Sequence, residues 1–154
     1  MKDFFYKKLD AYQIAKEFTL YVYSLLKNYP SYEQFAICDQ LRRAAVSVPS
    51  NIAEGMGRMA IKERIHFLEI SYGSVIEVLC QLDLSHSLGY ISEQELNYAE
   101  EIASRLTKVM SGLRKSLNEK KLNNNKPGCG FGSGKTNLIP HSTFHIPQKQ
   151  NNYE

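Results

Sequence analysis

The side chains best suited to chemistry in this sequence stand together between Gln40 and Arg58, in the run QLRRAAVSVPSNIAEGMGR. Arg43, Ser47, Ser50, Asn51, Glu54 and Arg58 recur at steps of three and four, the spacing that gathers residues on one face of a helix. Guanidinium groups on such a face present planar forks that can grip a phosphate or a carboxylate through two hydrogen bonds, which an ammonium does less specifically. Pro49 lies inside the same run. It cannot donate a backbone hydrogen bond, and its ring crowds the carbonyl of Ala45, at a cost of ~3 kcal/mol in an unrelieved helix interior. A kink is expected there. Two readings of the polar face follow: a solvated surface on which Ser47 and Ser50 satisfy backbone freed by the proline, or a fixed set of forks for phosphate or a partner's carboxylate.

Other reactive residues fail on spacing. The run GCGFGSGKT ends like a phosphate-binding loop at Gly134, Lys135 and Thr136, but the glycine required five positions before Gly134 is Cys129. The flanks are wrong too, with Asn-rich chain before it and Leu138, Ile139 and Pro140 after it, where a strand and a helix are needed. His141 and His145 are four apart, yet Pro140 and Pro147 flank them and no third ligand is nearby. His66 and His86 have no base and orienting partner at recognisable spacing, and the scattered Ser and Cys residues define no triad. The sequence therefore predicts no catalysis, no metal site, no cofactor and no small-molecule substrate. Ten tyrosines could include stacking platforms for bases; bundle packing explains Tyr12, Tyr21 and Tyr72 better.

Four elements must position the arginine-rich run. Apolar residues at alternating steps of three and four mark Ala11, Ala15, Phe18, Val22 and Leu25 on a first helix, over about 7–28, stopped by Pro30. Cys38, Leu41, Ala45, Val48 and Ile52 mark a second, with Ser31 as cap, Gln34 completing a capping box, and Gly55 and Gly57 at its end. Ile61, Ile65, Leu68, Tyr72, Val75, Leu79 and Leu82 mark a third, closed by Gly89. Leu96, Ala99, Ala103, Leu106, Met110, Leu113 and Leu117 mark a fourth, opened by Ser92 with Glu95 three residues on. No segment has a strand period. The fold class expected is all-α: an antiparallel up-down-up-down four-helix bundle over residues 1–122, with a kinked second helix.

The 154 residues suit one domain, with 19 Lys+Arg against 16 Asp+Glu and a formal charge of +3. From Asn123 the composition changes to six Asn, four Gly and three Pro in 32 residues, which predicts a flexible tail over 123–154. No apolar run approaches the 18 to 20 residues of a membrane span, and MKDFFYKKLDAY lacks a signal core, so the expectation is a cytoplasmic protein with no membrane partner. Cys38, Cys80 and Cys129, odd in number and widely spaced, fit reduced thiols. Gly73, inside the third helix, predicts close approach by a neighbouring helix or subunit.

The run QLRRAAVSVPSNIAEGMGR, with YPSYEQF upstream and HFLEISYGSVIEVLCQL downstream, resembles the four-helix-bundle proteins encoded in intervening sequences of bacterial 23S ribosomal RNA genes. The resemblance extends to the accessory variability proteins of diversity-generating retroelements and covers about residues 8–118. Gln40, Arg42, Arg43, Ala44, Asn51, Ile52, Glu54, Gly55, Gly57 and Arg58 carry it, followed by Phe67, Leu68, Gly73, Ser74, Glu77 and Gln81. Three positions depart from the family pattern: Ala60 replaces a capping Ser, Arg64 an aromatic and Leu79 an acidic residue. The resemblance implies a short bundle assembling into a homo-oligomeric ring, often a pentamer, associated with RNA or nucleic acid and without known catalysis.

Two functional expectations result. In the first, a non-enzymatic oligomeric bundle associates with structured RNA or nucleic acid, with a reverse transcriptase or ribonucleoprotein as partner, and Arg42, Arg43, Arg58 and Lys62 meet phosphates. In the second, the chain is a protein-interaction or scaffold module with no nucleic-acid role, and Gln40, Asn51, Glu54 and Glu77 form a structural polar cluster, with Arg43 in the same inter-helix or inter-subunit locks.

Overall fold

The computed structural model describes residues 4–124, with side chains through Leu122. A 3-10 turn over Phe5–Lys8 leads into α1 (Asp10–Leu25), α2 (Ile37–Gly57), α3 (Ile61–Ser87) and α4 (Glu93–Asn124). Each helix packs against its neighbours in chain order and α4 returns to α1, closing an antiparallel four-helix bundle with no strand among the described residues. The expected boundary at residue 122 falls within α4, which continues to Asn124. The phosphate-loop lookalike, His141, His145, Cys129 and the rest of the predicted tail beyond residue 124 lie outside the described residues.

The three-four stripes of α1, α2 and α4 are the core. Ala15, Phe18, Val22, Cys38, Leu41, Ala45, Val48, Ile52, Ala99 and Leu106 are all fully enclosed. Burying each of the larger of these side chains, the Val, Leu, Ile and Phe, contributes about 1.5–3 kcal/mol, and that burial holds the helices together. On α3 the buried face departs from the stripe. Leu68, Val75 and Leu82 are buried as expected, but Tyr72 is exposed, while Ser71, Ser74, Val78 and Ser85 turn inward.

Ser71 and Ser74 sit where α3 approaches α2, because a small side chain lets two helix backbones draw close. All three inward serines are satisfied: Ser71 Oγ donates to the Val48 carbonyl at 2.9 Å, Ser74 Oγ shares a hydrogen bond with Ser47 Oγ at 2.8 Å, and Ser85 Oγ donates to the Gln81 carbonyl at 2.7 Å. Gly55 belongs to the same α2–α3 contact. A Cβ there would lie 2.7 Å from the Phe67 Cβ and 3.3 Å from the Arg64 carbonyl oxygen, so no larger residue fits without moving a helix. Gly73, expected to be the close-approach glycine, has nothing within 4 Å of a built Cβ inside this chain.

Helix ends follow local chemistry unevenly. Ser92 and Glu95 form the expected capping box, with the Ser92 N–H donating to Glu95 Oε2 at 2.8 Å and the Glu95 N–H donating to Ser92 Oγ at 3.3 Å. Gly89 adopts φ +75 and closes α3, its N–H reaching the His86 carbonyl while the Tyr90 N–H reaches that of Ser85. The capping box expected at Ser31 does not form. Ser31–Glu33 is a separate 3-10 turn, α2 begins only at Ile37, and the Gln34 side chain is held by Arg42 instead. Likewise α1 is shorter than expected, with a 3-10 turn over Leu26–Asn28 completing the approach to Pro30.

Candidate nucleic-acid interface

Helix α2 runs unbroken through Pro49, and its neighbours supply what the proline removes. The carbonyl that would have accepted from residue 49 belongs to Ala45, which is fully buried. Thr19 Oγ1, from α1, lies 2.8 Å from that oxygen and donates to it. The same hydroxyl lies 2.9 Å from the Ala15 carbonyl, already an acceptor inside α1, so Ala45 has the greater need of the proton. One turn on, Asn51 Nδ2 donates to the Ser47 carbonyl at 2.8 Å and to Ser47 Oγ at 2.9 Å, and Ser50 Oγ donates to the Val46 carbonyl. The middle of the predicted polar face is thus occupied with α2's own backbone and with Ser74.

The cations of that face divide between the two ends of α2. Arg43, three-quarters exposed at 75%, pairs with Asp39 one turn back at 2.9 Å. Arg42 is half-buried, its Nη1 and Nη2 donating to the carbonyl and side-chain oxygens of Gln34 at 3.2 and 2.6 Å, which fastens the loop before α2. Fifteen residues on from Arg43, or about 22 Å along a helix, Arg58 pairs with Glu54 and lies over the Phe67 ring, 4.8 Å from its centre. Arg64 Nε donates to the Arg58 carbonyl at 2.7 Å, which secures the α2–α3 turn. Lys62 is exposed and in no ion pair among the described residues.

The predicted polar cluster is not brought together within one chain. Asn51 donates to Ser47, whose hydroxyl in turn meets that of Ser74, Glu54 binds Arg58 on its own helix, Glu77 accepts from Gln81 at 3.2 Å on the outside of α3, and Gln40 is exposed near the start of α2. Ion pairs that do cross between helices involve residues that sequence spacing did not single out: Arg105 of α4 with Glu17 of α1 at 2.6 Å, and Arg114 of α4 with Glu69 of α3 at 2.7 Å. Finding them required the register between helices, which no single stripe encodes.

Elsewhere, chemistry is sparse. At the end where α3 meets α4, Tyr90 donates to Glu33 Oε1 at 2.9 Å and lies 3.3 Å from the Tyr32 hydroxyl, contacts that hold its phenol well above its ordinary pKa. Burial pushes the Cys38 thiol up as well, which disfavours the thiolate. An open cavity of about 390 Å³ between α3 and α4 is lined by Leu68, Glu69, Tyr72, Met110, Ser111 and Arg114. Among the described residues no three His, Cys, Asp or Glu side chains converge.

One surface is unlike the rest. Ile70, Leu84 and Leu88 are exposed on the outer side of α3, in line with Gly73 and Cys80, and Tyr72 and Ile76 are exposed beside them. This gives α3 apolar side chains on both faces. Although no unbroken apolar run marks it in the sequence, it contains an 18-residue window of mean hydropathy 1.2, apolar enough by length and composition to cross a membrane, of which 33% is buried in the bundle.

The described architecture is that of an all-α antiparallel bundle whose polar groups are spent mainly on its own backbone and ion pairs. Over residues 7–112 the chain matches the 23S rRNA-intervening sequence proteins, and it belongs to that family. A crystal structure of a protein of unknown function from the S23 ribosomal protein family of Bacteroides thetaiotaomicron has the same fold, with a TM-score of 0.63 and 20% identity, covering 68% of this chain and 95% of that one. No curated protein matches the chain.

Proposed function

We propose that this chain is a non-enzymatic bundle that assembles with copies of itself and associates with structured RNA, as an accessory to a ribonucleoprotein or a reverse transcriptase in the bacterial cytoplasm. The observation that carries the RNA half is the pair of exposed cations at the α2–α3 turn. Lys62 is exposed and in no ion pair among the described residues, and Arg58, which lies over the Phe67 ring, pairs with Glu54 one turn back on α2. An exposed pair of this spacing is worth about 0.3–0.5 kcal/mol, so an RNA phosphate can displace the Glu54 carboxylate at little cost. Membership in a family named for 23S rRNA intervening sequences supports the same reading. The self-assembly half is supported by the apolar outer side of α3, which one chain leaves open to water.

The test is a titration of the full chain against a labelled structured RNA and a matched duplex DNA at about 50 and 200 mM salt. Micromolar or tighter binding to the RNA that weakens steeply as salt rises is the expected result. Absence of binding to either nucleic acid at the lower salt would falsify the RNA reading. The outer side of α3 would then favour the scaffold alternative, with a protein in place of RNA.

A further inference from the structure

The bundle is close to neutral as a whole, yet its charge is sorted along its length. A mid-plane is set by three contacts between helices: Thr19 with Ala45, Ser47 with Ser74, and Glu17 with Arg105. On one side lie residues 4–17, 48–73 and 105–122, with twelve basic and six acidic side chains. On the other lie 18–47 and 74–104, with three basic and eight acidic. One end therefore carries an excess of six positive charges and the other an excess of five negative ones. Helix dipoles do not create this difference, because each end of an antiparallel bundle holds two helix N-termini and two C-termini and their fields largely cancel.

The pairing of these charges sharpens the contrast. Within the basic end, Arg58, Arg105 and Arg114 are taken up by Glu54, Glu17 and Glu69. The other nine cations are in no ion pair among the described residues, including Lys7, Lys8, Lys62, Lys115, Lys120 and Lys121. Arg42 and Arg43 stand at the acidic end, where the first holds Gln34 and the second pairs with Asp39.

Resting on the RNA reading above, we infer that RNA contacts the basic end of the bundle, built by the last turns of α4, the start of α1 and the α2–α3 turn, and that Arg42 and Arg43 take no part. The partner that fits is the phosphate backbone of a folded RNA: unpaired ammonium groups on several elements neutralise phosphates without reading sequence. Repulsion from the opposite end, with its Glu93, Glu95, Glu100 and Glu101, turns an approaching polyanion toward the basic one.

The experiment compares three full-length proteins on one fluorescently labelled RNA stem-loop across a salt series: the unaltered chain, Lys115→Ala/Lys120→Ala/Lys121→Ala, and Arg42→Ala/Arg43→Ala. All five substitutions replace side chains on helices, so circular dichroism verifies that helicity is kept. The lysine triple is expected to lose at least about tenfold in affinity near 100 mM salt, and its salt slope to fall by about two. The arginine pair is expected to stay within about twofold of the unaltered chain. Loss of binding in the arginine pair, with the lysine triple unchanged, overturns the inference while leaving the RNA reading intact. If the unaltered chain itself binds no RNA, the RNA reading fails first and the inference with it. A change in sedimentation mass for the lysine triple, without a change in RNA affinity, assigns the basic end to contact between proteins and also overturns the inference.

Discussion

Thr19 and Pro49 are thirty residues apart, and neither is informative alone. Pro49 strips the fully buried Ala45 carbonyl of its helical donor, and the Thr19 hydroxyl reaches that oxygen from α1 at 2.8 Å. Leaving such an acceptor unmet costs about 1–3 kcal/mol. Thr19→Val keeps the shape and removes the proton, so it should lower unfolding free energy by that amount in a urea titration. In a Pro49→Ala background the backbone N–H restored at that position can serve the carbonyl, and the same Thr19→Val change should cost markedly less. A coupling near zero in this double-mutant cycle would show that Thr19 does not compensate the proline. The sequence announced the defect at Pro49, but the serines expected to satisfy the freed carbonyl do not reach it: Ser50 bonds the Val46 carbonyl and Ser47 bonds Ser74 on α3. The sequence could not announce Thr19, because that partner belongs to another helix.

Among the helices, α1, α2 and α4 are readable from one segment each because apolar and polar residues alternate cleanly around them. Helix α3 is not, since Ile70, Ile76, Leu84 and Leu88 add apolar residues outside, while Ser71, Ser74 and Ser85 occupy part of the inside. A stripe drawn through the large residues therefore runs off the true contact, placing Tyr72 inward when it faces solvent. The two glycines divide on the same principle. Gly55→Ala should destabilise the bundle by about 1–3 kcal/mol, because the added methyl meets the Phe67 Cβ, which is not the free end of a flexible chain. Gly73→Ala has open space within the chain and should stabilise an isolated subunit by up to about 1 kcal/mol through helix propensity. Paired thermal melts, run at a concentration where the protein is monomeric, check both signs.

At the scale of the whole molecule, four-helix architecture follows from the stripes, but the placement of charge does not. Arg42, Arg43, Arg58 and Lys62 look like one set along the sequence; the antiparallel turn after α2 keeps Arg58 and Lys62 together and leaves the other two about 22 Å away. Assembly is the corresponding question for the apolar side of α3. Ile70→Glu combined with Leu84→Glu should reduce the mass measured by sedimentation to that of the 17.6 kDa chain, while the melting cooperativity of the subunit is retained. An unchanged mass places the contact between copies elsewhere.

The sorted charge has a consequence for any such assembly. Cyclic symmetry repeats a subunit without inverting it. A ring whose axis runs along the helices is then a disc with unlike faces, one cationic and one anionic, each magnified by the number of subunits. Such a disc settles on a polyanion one way up, and two of them in dilute salt attract heads to tails, so the same sorting that orients the protein on its ligand also sets the polarity of a stack.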